Sequence, residues 1–279
     1  MRVCILAFDG LEFSIIDRYR SLLRSLAQKM YGKYPSDINL NSVQLWSMFL
    51  TGASRAPDRG VFVYRRRYGD LLPRIVRRGL GKIGFKALLL RKPALYLKPP
   101  RVSGRTIFDL AEKPLPVNVF CYNEDRELFE FRVRNSIPRL LKLPLEERIK
   151  AVKQRIELER KMLNRFTKML SERSWDLAMF YARFVDDAGH LVCRSMKDAL
   201  RYHLIADKWA KEVGELLERG DLLLIVSDHG LIRGVHTPYA FYSLNTLLEV
   251  EVHSISDFYN LIGEWLKYEL TRGCNREFS

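Results

Sequence analysis

The sequence predicts an α/β fold in which helices cover both faces of a central, mostly parallel sheet. Strand-like and helix-like segments alternate along the chain, which is typical of parallel sheets whose strands are joined by helical crossovers. The strand-like segments are short apolar runs, as expected of strands buried on both faces. Three of these runs are closely followed by acidic residues, and open α/β sheets bind ligands at the carboxyl ends of their strands. These runs are residues 3–8, 177–181 and 222–226.

Two helices are predicted between the first strand and residue 52. Apolar residues recur at helical spacing between residues 15 and 30, which predicts an amphipathic helix over that range. Ser42 is expected to be the N-cap of a second helix over residues 43–50, and Gly52 is its C-terminal stop. The beginning of a helix favours anions such as a phosphoryl group, because its backbone N–H groups are free.

The second half of the chain repeats the alternation. A short strand is predicted over residues 117–121, after Pro114 and Pro116. A long helix over residues 145–172 carries an apolar face, and the run 177–181 follows it. Another helix is predicted over residues 199–217, before the run 222–226.

The length and composition fit one large domain. A chain of 279 residues is long enough for a sizeable core, and 47% hydrophobic with 29% charged residues excludes wholesale disorder. Because one segment departs from the rest in composition, we predict a single domain over residues 1–279 with a small basic insertion at about 62–144.

Most of the excess positive charge lies in that insertion. The formal net charge is 47 − 33 = +14, and residues 65–101 contribute 12 − 1 = +11 of it. Such a charge favours anionic partners, which include phosphate esters, nucleic acid and acidic membrane surfaces. No nucleic-acid-binding motif accompanies the segment, so it is interpreted as a solvated surface or as a rim that attracts an anionic substrate.

The four cysteines are scattered, without the Cys-x-x-Cys spacing of a zinc knuckle. This pattern predicts reduced thiols and a cytoplasmic protein. The N-terminal apolar run is too short for a signal peptide, and no stretch approaches the roughly 20 apolar residues of a membrane span. The sequence makes no prediction of the oligomeric state.

Carboxylates and imidazoles cluster around the ends of the three buried runs. Histidine nitrogen and aspartate oxygen together suit zinc, manganese or iron better than calcium or magnesium. Six such side chains can bind two metal ions, three to each, and two metals can clamp the attacking and leaving oxygens of a displacement at phosphorus. Ser42 is the candidate nucleophile. The six candidate ligands are Asp9, Asp186, His190, Asp228, His229 and His236.

Four separated motifs carry a resemblance to a known family. They are Phe8-Asp9-Gly10, the segment 42–52 with its Leu-Thr-Gly end, Asp186-Asp187-Ala188-Gly189-His190, and Ser227-Asp228-His229-Gly230 followed by His236. These motifs occur in the same order as in a known family. Through them the chain resembles the alkaline phosphatase superfamily, and within it the type I phosphodiesterase/nucleotide pyrophosphatase family. The motifs span nearly the whole chain.

The resemblance implies a fold, a ligand set and a reaction. One metal ion would be held by Asp9, Ser42, Asp228 and His229, and the other by Asp186, His190 and His236. Ser42 would attack phosphorus, and the metals would be two divalent ions, zinc or alternatively manganese.

Three positions depart from relatives' patterns. Many phosphodiesterases have Thr where this chain has Ser42, and some relatives have Asn where it has Leu45. Gln44 and Trp46 stand where a formylglycine sulfatase needs Pro and Arg, which argues against that branch.

We therefore expect a metal-dependent hydrolase of phosphate esters, specifically a phosphodiesterase or nucleotide pyrophosphatase with a small-molecule substrate. Within the same superfamily, the alternatives are a phosphomonoesterase or a phosphomutase. From another class, the alternative is a non-catalytic basic protein that binds nucleic acid or a membrane surface.

Overall fold

The computed structural model describes residues 2–55, 99–247 and 251–274, and for residues 268–274 it describes the backbone alone. The strands are β1 (Val3–Phe8), β2 (Met30–Pro35), β3 (Pro114–Val117), β4 (Leu177–Ala182), β5 (Leu222–Val226), β6 (Gly230–Ile232), β7 (Val235–Thr237) and β8 (Tyr239–Leu244). The helices are α1 (Phe13–Arg18), α2 (Ser42–Thr51), α3 (Arg126–Arg134), α4 (Ile137–Leu140), α5 (Leu145–Ser171), α6 (Phe184–Leu191), α7 (Met196–Gly214) and α8 (Asp257–Cys274). A 3₁₀ helix covers Ile107–Leu110.

The central sheet has the strand order β2-β8-β5-β1-β4-β3. Strand β1 pairs in parallel with both β4 and β5, and β3 pairs in parallel with β4. Strand β8 is antiparallel to its neighbours β5 and β2. The predicted fold class, a mostly parallel sheet with helices on both sides, is confirmed.

A hydrophobic core lies on each face of this sheet. Side chains of a strand alternate between its two faces, so Leu6 and Phe8 join one core while Ile5 joins the other. The first core also contains Phe166 of α5, and the second contains Trp46 of α2. Burial on both sides explains why the strands are continuous apolar runs.

The helix predicted over residues 15–30 is wrong in extent. Helix α1 ends at Arg18, the chain then follows a series of turns, and β2 begins at Met30. Leu26 is nevertheless buried, and the backbone N–H groups of Ser25 and Leu26 donate to Asp207 Oδ1 at 2.7 and 2.8 Å. Apolar spacing thus identified buried positions, but a carboxylate from α7 stabilises turns where a helix was expected.

The N-cap of α2 is Asn41, not Ser42. The Asn41 side chain accepts a hydrogen bond from the Gln44 backbone at 3.1 Å, and the Gln44 side chain accepts one from the Asn41 backbone at 3.2 Å. Ser42 is the first helical residue, so its hydroxyl is not needed for capping. The predicted stop is confirmed, since Gly52 caps the C-terminus with a φ of 70°.

The strand predicted over residues 117–121 lies three residues earlier, at β3. Its prolines are tolerated because β3 is an edge strand. Part of the range 62–144 therefore belongs to the central sheet. The insertion itself stays a prediction, because residues 56–98 lie outside the described residues.

The two long predicted helices are present with small shifts of their ends. Helix α5 ends at Ser171, and α7 begins at Met196 because Ser195 and Asp198 form a capping box before its first turn. Among the helices in the described part of the chain, none has the length and apolar content that crossing a membrane requires.

Candidate metal centre

The candidate ligands lie at the carboxyl ends of three adjacent strands. Asp9 follows β1, helix α6 begins two residues after β4, and Asp228 and His229 follow β5. Because β1 lies between β4 and β5 in a parallel arrangement, these three ends meet at one edge of the sheet. The side chains that the sequence analysis proposed as ligands therefore lie near one another, and their role as a site stays a prediction.

One cluster comprises Asp9, Asp228 and His229, all buried, whose possible ligand atoms lie within 4.8 Å of one another. His229 Nε2 is 3.0 Å from Asp9 Oδ1 and 3.6 Å from Asp228 Oδ2. The Nδ1 atom of His229 lies 3.3 Å from the carbonyl oxygen of Gly230. With its proton on Nδ1, the imidazole presents Nε2 to a metal ion.

The second cluster comprises Asp186, His190 and His236, whose possible ligand atoms also lie within 4.8 Å of one another. Asp186 and His190 are one turn apart on α6 and therefore share a face. His190 Nε2 is 3.2 Å from Asp186 Oδ1 and 3.1 Å from His236 Nε2. Three imidazole and carboxylate groups thus converge from two separate elements.

His236 reaches this cluster because the hairpin of β6 and β7 packs against α6. Gly189 makes this approach possible, since a Cβ atom there would overlap the side chain of Leu231, the residue paired with His236 across the hairpin. The hairpin is also anchored by Thr237, whose hydroxyl donates to Glu12 Oε2 at 2.8 Å. Gly189 of the third motif therefore has a packing role.

The two clusters adjoin each other. His229 Nε2 lies 3.9 Å from Asp186 Oδ1, and the rings of His229 and His236 stack with centroids 3.9 Å apart. Such spacing allows two cations to act on one bound group.

Several carboxylate oxygens of the two clusters are buried and have no hydrogen-bond partner in the described part of the chain, which bears on whether the clusters suit metal ions. Among the described residues, both carboxylate oxygens of Asp228 and the Oδ1 atom of Asp186 are buried without a hydrogen-bond partner. Burial and the negative charge of Asp9 raise the pKa of the Asp228 carboxyl well above its usual value. Because leaving buried carboxylates unpaired is costly, these oxygens and imidazoles fit divalent metal ions.

The electrostatics of His229 support the same conclusion. Burial acts to lower its pKa, but Asp228 and Asp9 outweigh burial and raise the pKa to about 10. The pocket therefore favours a cation at His229. Since a ligating imidazole must lose this proton, metal affinity should rise with pH.

Ser42 lies at the first cluster. Its Oγ atom is 3.2 Å from Asp9 Oδ1 and 3.4 Å from His229 Nε2, and it stands in the first turn of α2. The structure therefore brings together the candidate nucleophile and all six candidate ligands, although residues up to 227 positions apart contribute.

Sequence reasoning missed a set of buried charged residues behind these clusters. Arg155 and Glu159 lie on the buried face of α5, where apolar residues are expected. The presence of two charged residues on that face is the feature of the sequence that could have revealed them. Glu159 accepts hydrogen bonds from the backbone N–H groups of Arg183 and Phe184 at 3.0 and 3.1 Å, which fixes the beginning of α6. Burial raises the pKa of Glu159 to about 7.

We expect Arg155→Met to lower the free energy of unfolding by about 3–5 kcal/mol, because it leaves the buried Glu159 carboxyl without a cation and Asp187 with Arg183 alone. Arg155 Nε donates to Asp187 Oδ2 at 2.9 Å, and its Nη1 lies 3.5 Å from Glu159 Oε1. The matched control is Arg160→Met on the same helix, whose ion pair with Glu212 is partly exposed and should contribute at most about 1 kcal/mol. Urea denaturation measures both losses, and equal losses would contradict a special role for Arg155.

The remaining described histidines have ordinary roles. His203 Nε2 accepts a hydrogen bond from the Glu12 backbone at 3.0 Å, and burial lowers its pKa to about 4. His253 is exposed beside Glu251. Neither residue belongs to the two clusters.

No protein-family model matches this chain, and no curated protein matches it in sequence. Among solved structures, alkaline phosphatase from the Antarctic bacterium TAB5 is similar over 95% of this chain and 97% of that chain, with a TM-score of 0.51 and 11% identity. The PH0037 protein from Pyrococcus horikoshii is similar over 95% of this chain and 96% of that chain, with a TM-score of 0.50 and 10% identity. Murine ectonucleotide pyrophosphatase/phosphodiesterase 5 matches 82% of this chain and 57% of its own, but its TM-score of 0.40, at 12% identity, is too low to support an argument. The first two similarities cover nearly the whole of each chain, and the protein therefore has an alkaline phosphatase-like fold, as predicted from the sequence.

Proposed function

We propose that the protein is a metal-dependent hydrolase of phosphate esters in which Ser42 is the nucleophile. The observation that carries the proposal is the position of Ser42 Oγ beside the first of two adjoining clusters of metal-ligand side chains. A nucleophilic hydroxyl next to two cation-binding clusters is suited to displacement at phosphorus.

The two clusters divide the metal ligands between them. Asp9, Asp228 and His229 would hold one ion together with Ser42, and Asp186, His190 and His236 would hold the other. Mixed imidazole and carboxylate ligands favour zinc, with manganese as the alternative. Bound divalent ions would supply Lewis acidity, which promotes ionisation of a hydroxyl and stabilises negative charge on phosphate oxygens.

The surroundings of Ser42 support its proposed role as the nucleophile. Its hydroxyl donates to Asp9 Oδ1, and the beginning of α2 favours the charge of a phosphoryl group. Attack by Oγ on phosphorus would expel the leaving oxygen and form a phosphoseryl intermediate. Water would then cleave the P–Oγ bond and regenerate the hydroxyl.

For the substrate class, we propose a phosphodiester or nucleotide pyrophosphate, on the resemblance of the four motifs. A phosphomonoesterase is the second candidate, because Ser42 is the hydroxyl residue that phosphatases of the superfamily use and because a similar structure is an alkaline phosphatase. The net charge of +14 suits either anionic substrate. The role of the basic segment stays a prediction, since residues 56–98 are not described.

A panel of chromogenic esters separates these two candidates. With metal-reconstituted protein, we expect kcat/KM for bis(p-nitrophenyl) phosphate to exceed that for p-nitrophenyl phosphate at least about tenfold, a difference of ~1.4 kcal/mol in transition-state stabilisation. The reverse order would select the phosphomonoesterase. Protein carrying Ser42→Ala, purified in parallel, measures any contribution from a contaminating phosphatase.

Among the cysteines whose side chains the structure describes, Cys4, Cys121 and Cys193 are buried free thiols. A reducing compartment suits such residues, so the cytoplasm is the location we propose.

A further inference from the structure

The guanidinium of Arg183 lies between carboxylates of the two clusters. Its Nη2 atom donates to Asp186 Oδ2 at 2.9 Å, and its Nη1 atom is 3.6 Å from Asp9 Oδ2. Its Nε atom donates to Asp187 Oδ1 at 3.1 Å. One planar cation thus contacts a candidate ligand of each metal and a third carboxylate that belongs to neither cluster.

The two carboxylate oxygens of Asp9 have different partners. Its Oδ2 atom accepts a hydrogen bond from the Tyr181 hydroxyl at 2.8 Å and faces Arg183. Its Oδ1 atom lies instead beside Ser42 Oγ and His229 Nε2. Only one oxygen of this carboxylate is therefore free of the arginine and tyrosine.

The two carboxylate oxygens of Asp186 also have different neighbours. The Oδ2 atom is bound by Arg183. The Oδ1 atom, which has no hydrogen-bond partner among the described residues, is the one nearest to His190, His229 and His236. In both carboxylates, the oxygen next to the candidate ligand nitrogens is the oxygen that Arg183 leaves free.

Other buried residues hold Arg183 in this orientation. Asp187 is shared between Arg183 and Arg155, and Glu159 accepts a hydrogen bond from the Arg183 backbone. A planar, multiply donating group is needed to satisfy three carboxylates at once, and lysine cannot replace arginine in such a geometry.

We propose that Arg183 is a positioning residue of the metal centre, which binds Oδ2 of Asp186 and, together with the Tyr181 hydroxyl, occupies Oδ2 of Asp9, so that each carboxylate offers a single oxygen to its metal ion. The inference rests on the proposed function, because it assumes that both clusters bind metal. Restricting each carboxylate to one oxygen keeps coordination positions open for an incoming ester, and groups that orient metal ligands in this way commonly change affinity or activity 10- to 100-fold when removed.

Cobalt substitution tests this role by a signal other than activity. Metal-free protein is titrated with Co²⁺, and the number of ions bound and the visible absorption spectrum are recorded for the wild type, Arg183→Met, Arg183→Lys and Arg160→Met. Visible absorption of Co²⁺ weakens as its coordination number rises towards octahedral. We expect the wild type and Arg160→Met to take up two ions with the same spectrum. Both Arg183 variants should show weaker absorption per bound ion, because the released Oδ2 atom of Asp186 joins the coordination while the Tyr181 hydroxyl still holds Oδ2 of Asp9.

The lysine variant separates geometry from charge. It keeps a buried positive charge but lacks the planar set of donors. If Arg183→Met does not fold, the Co²⁺ absorption spectrum of Arg183→Lys alone tests the proposed role. A wild-type spectrum in Arg183→Lys, or unchanged spectra in both variants, would overturn the proposed role of Arg183 while leaving the hydrolase proposal intact. Failure of the wild type itself to bind two Co²⁺ ions would instead overturn the proposed function.

Discussion

Ser42→Ala is expected to lower kcat for phosphate ester hydrolysis by about 10³-fold or more, while the fold and the metal content stay unchanged. Removal of a nucleophile deletes the covalent path but leaves the groups that bind the ester. The fold should tolerate the change because Asn41, not Ser42, caps α2. The six other candidate ligand side chains are also retained.

Three measurements check this prediction. Steady-state kinetics give kcat, elemental analysis gives the metal content, and an acid-quenched turnover reaction followed by peptide mapping should find phosphate on the peptide that contains Ser42. Ser47→Ala is the matched control on the same helix, since the Ser47 hydroxyl donates to the Val43 carbonyl oxygen at 2.6 Å and Ser47 belongs to neither cluster. If Ser42→Ala stays within about tenfold of the wild type, or ~1.4 kcal/mol, water is the attacking group and the phosphoseryl path is wrong.

His190→Ala is expected to remove one of the two metal ions and to lower kcat by about 10²-fold or more. In the proposed site, His190 would supply one of three ligands to the second ion, whereas Asp9, Asp228 and His229 would remain to hold the other ion. The retained ion should stay bound, because the loss of its neighbour removes the repulsion between two cations.

Elemental analysis and steady-state kinetics on the same preparation check this second prediction. The matched control is His253→Ala, because His253 is 72% exposed and lies outside both clusters. Two tightly bound metals with unchanged activity in His190→Ala would show that the second cluster is not a metal site. Equal losses in His253→Ala would point to an unspecific effect of removing a histidine.

The parts of the fold that could be predicted are those where burial alone decides the structure. Strands β1, β4 and β5 are buried on both faces, so their continuous apolar runs identified them to within a residue. The same topology brings Asp9 and Asp228 together, because the carboxyl ends of neighbouring parallel strands meet. For this reason the candidate site could be assembled from positions in the sequence.

The parts that could not be predicted depend on contacts between distant residues. The turns around Leu26 are stabilised by Asp207, and β2 pairs only with β8, more than 200 residues later. The spacing of apolar residues within a segment does not identify partners that are distant in the sequence. Arg183 was missed for a related reason: its role follows from which carboxylate oxygens it contacts, and this requires coordinates.

Titration of metal-free protein with Zn²⁺, while hydrolysis of bis(p-nitrophenyl) phosphate is followed, tests the central claim most directly. The two clusters predict no turnover after treatment with EDTA, and activity that rises with added metal and reaches its plateau at two ions per chain. Full hydrolysis without metal would contradict the account. So would a protein that binds two Zn²⁺ ions but hydrolyses no phosphate mono- or diester, a result that would favour the non-catalytic binding protein.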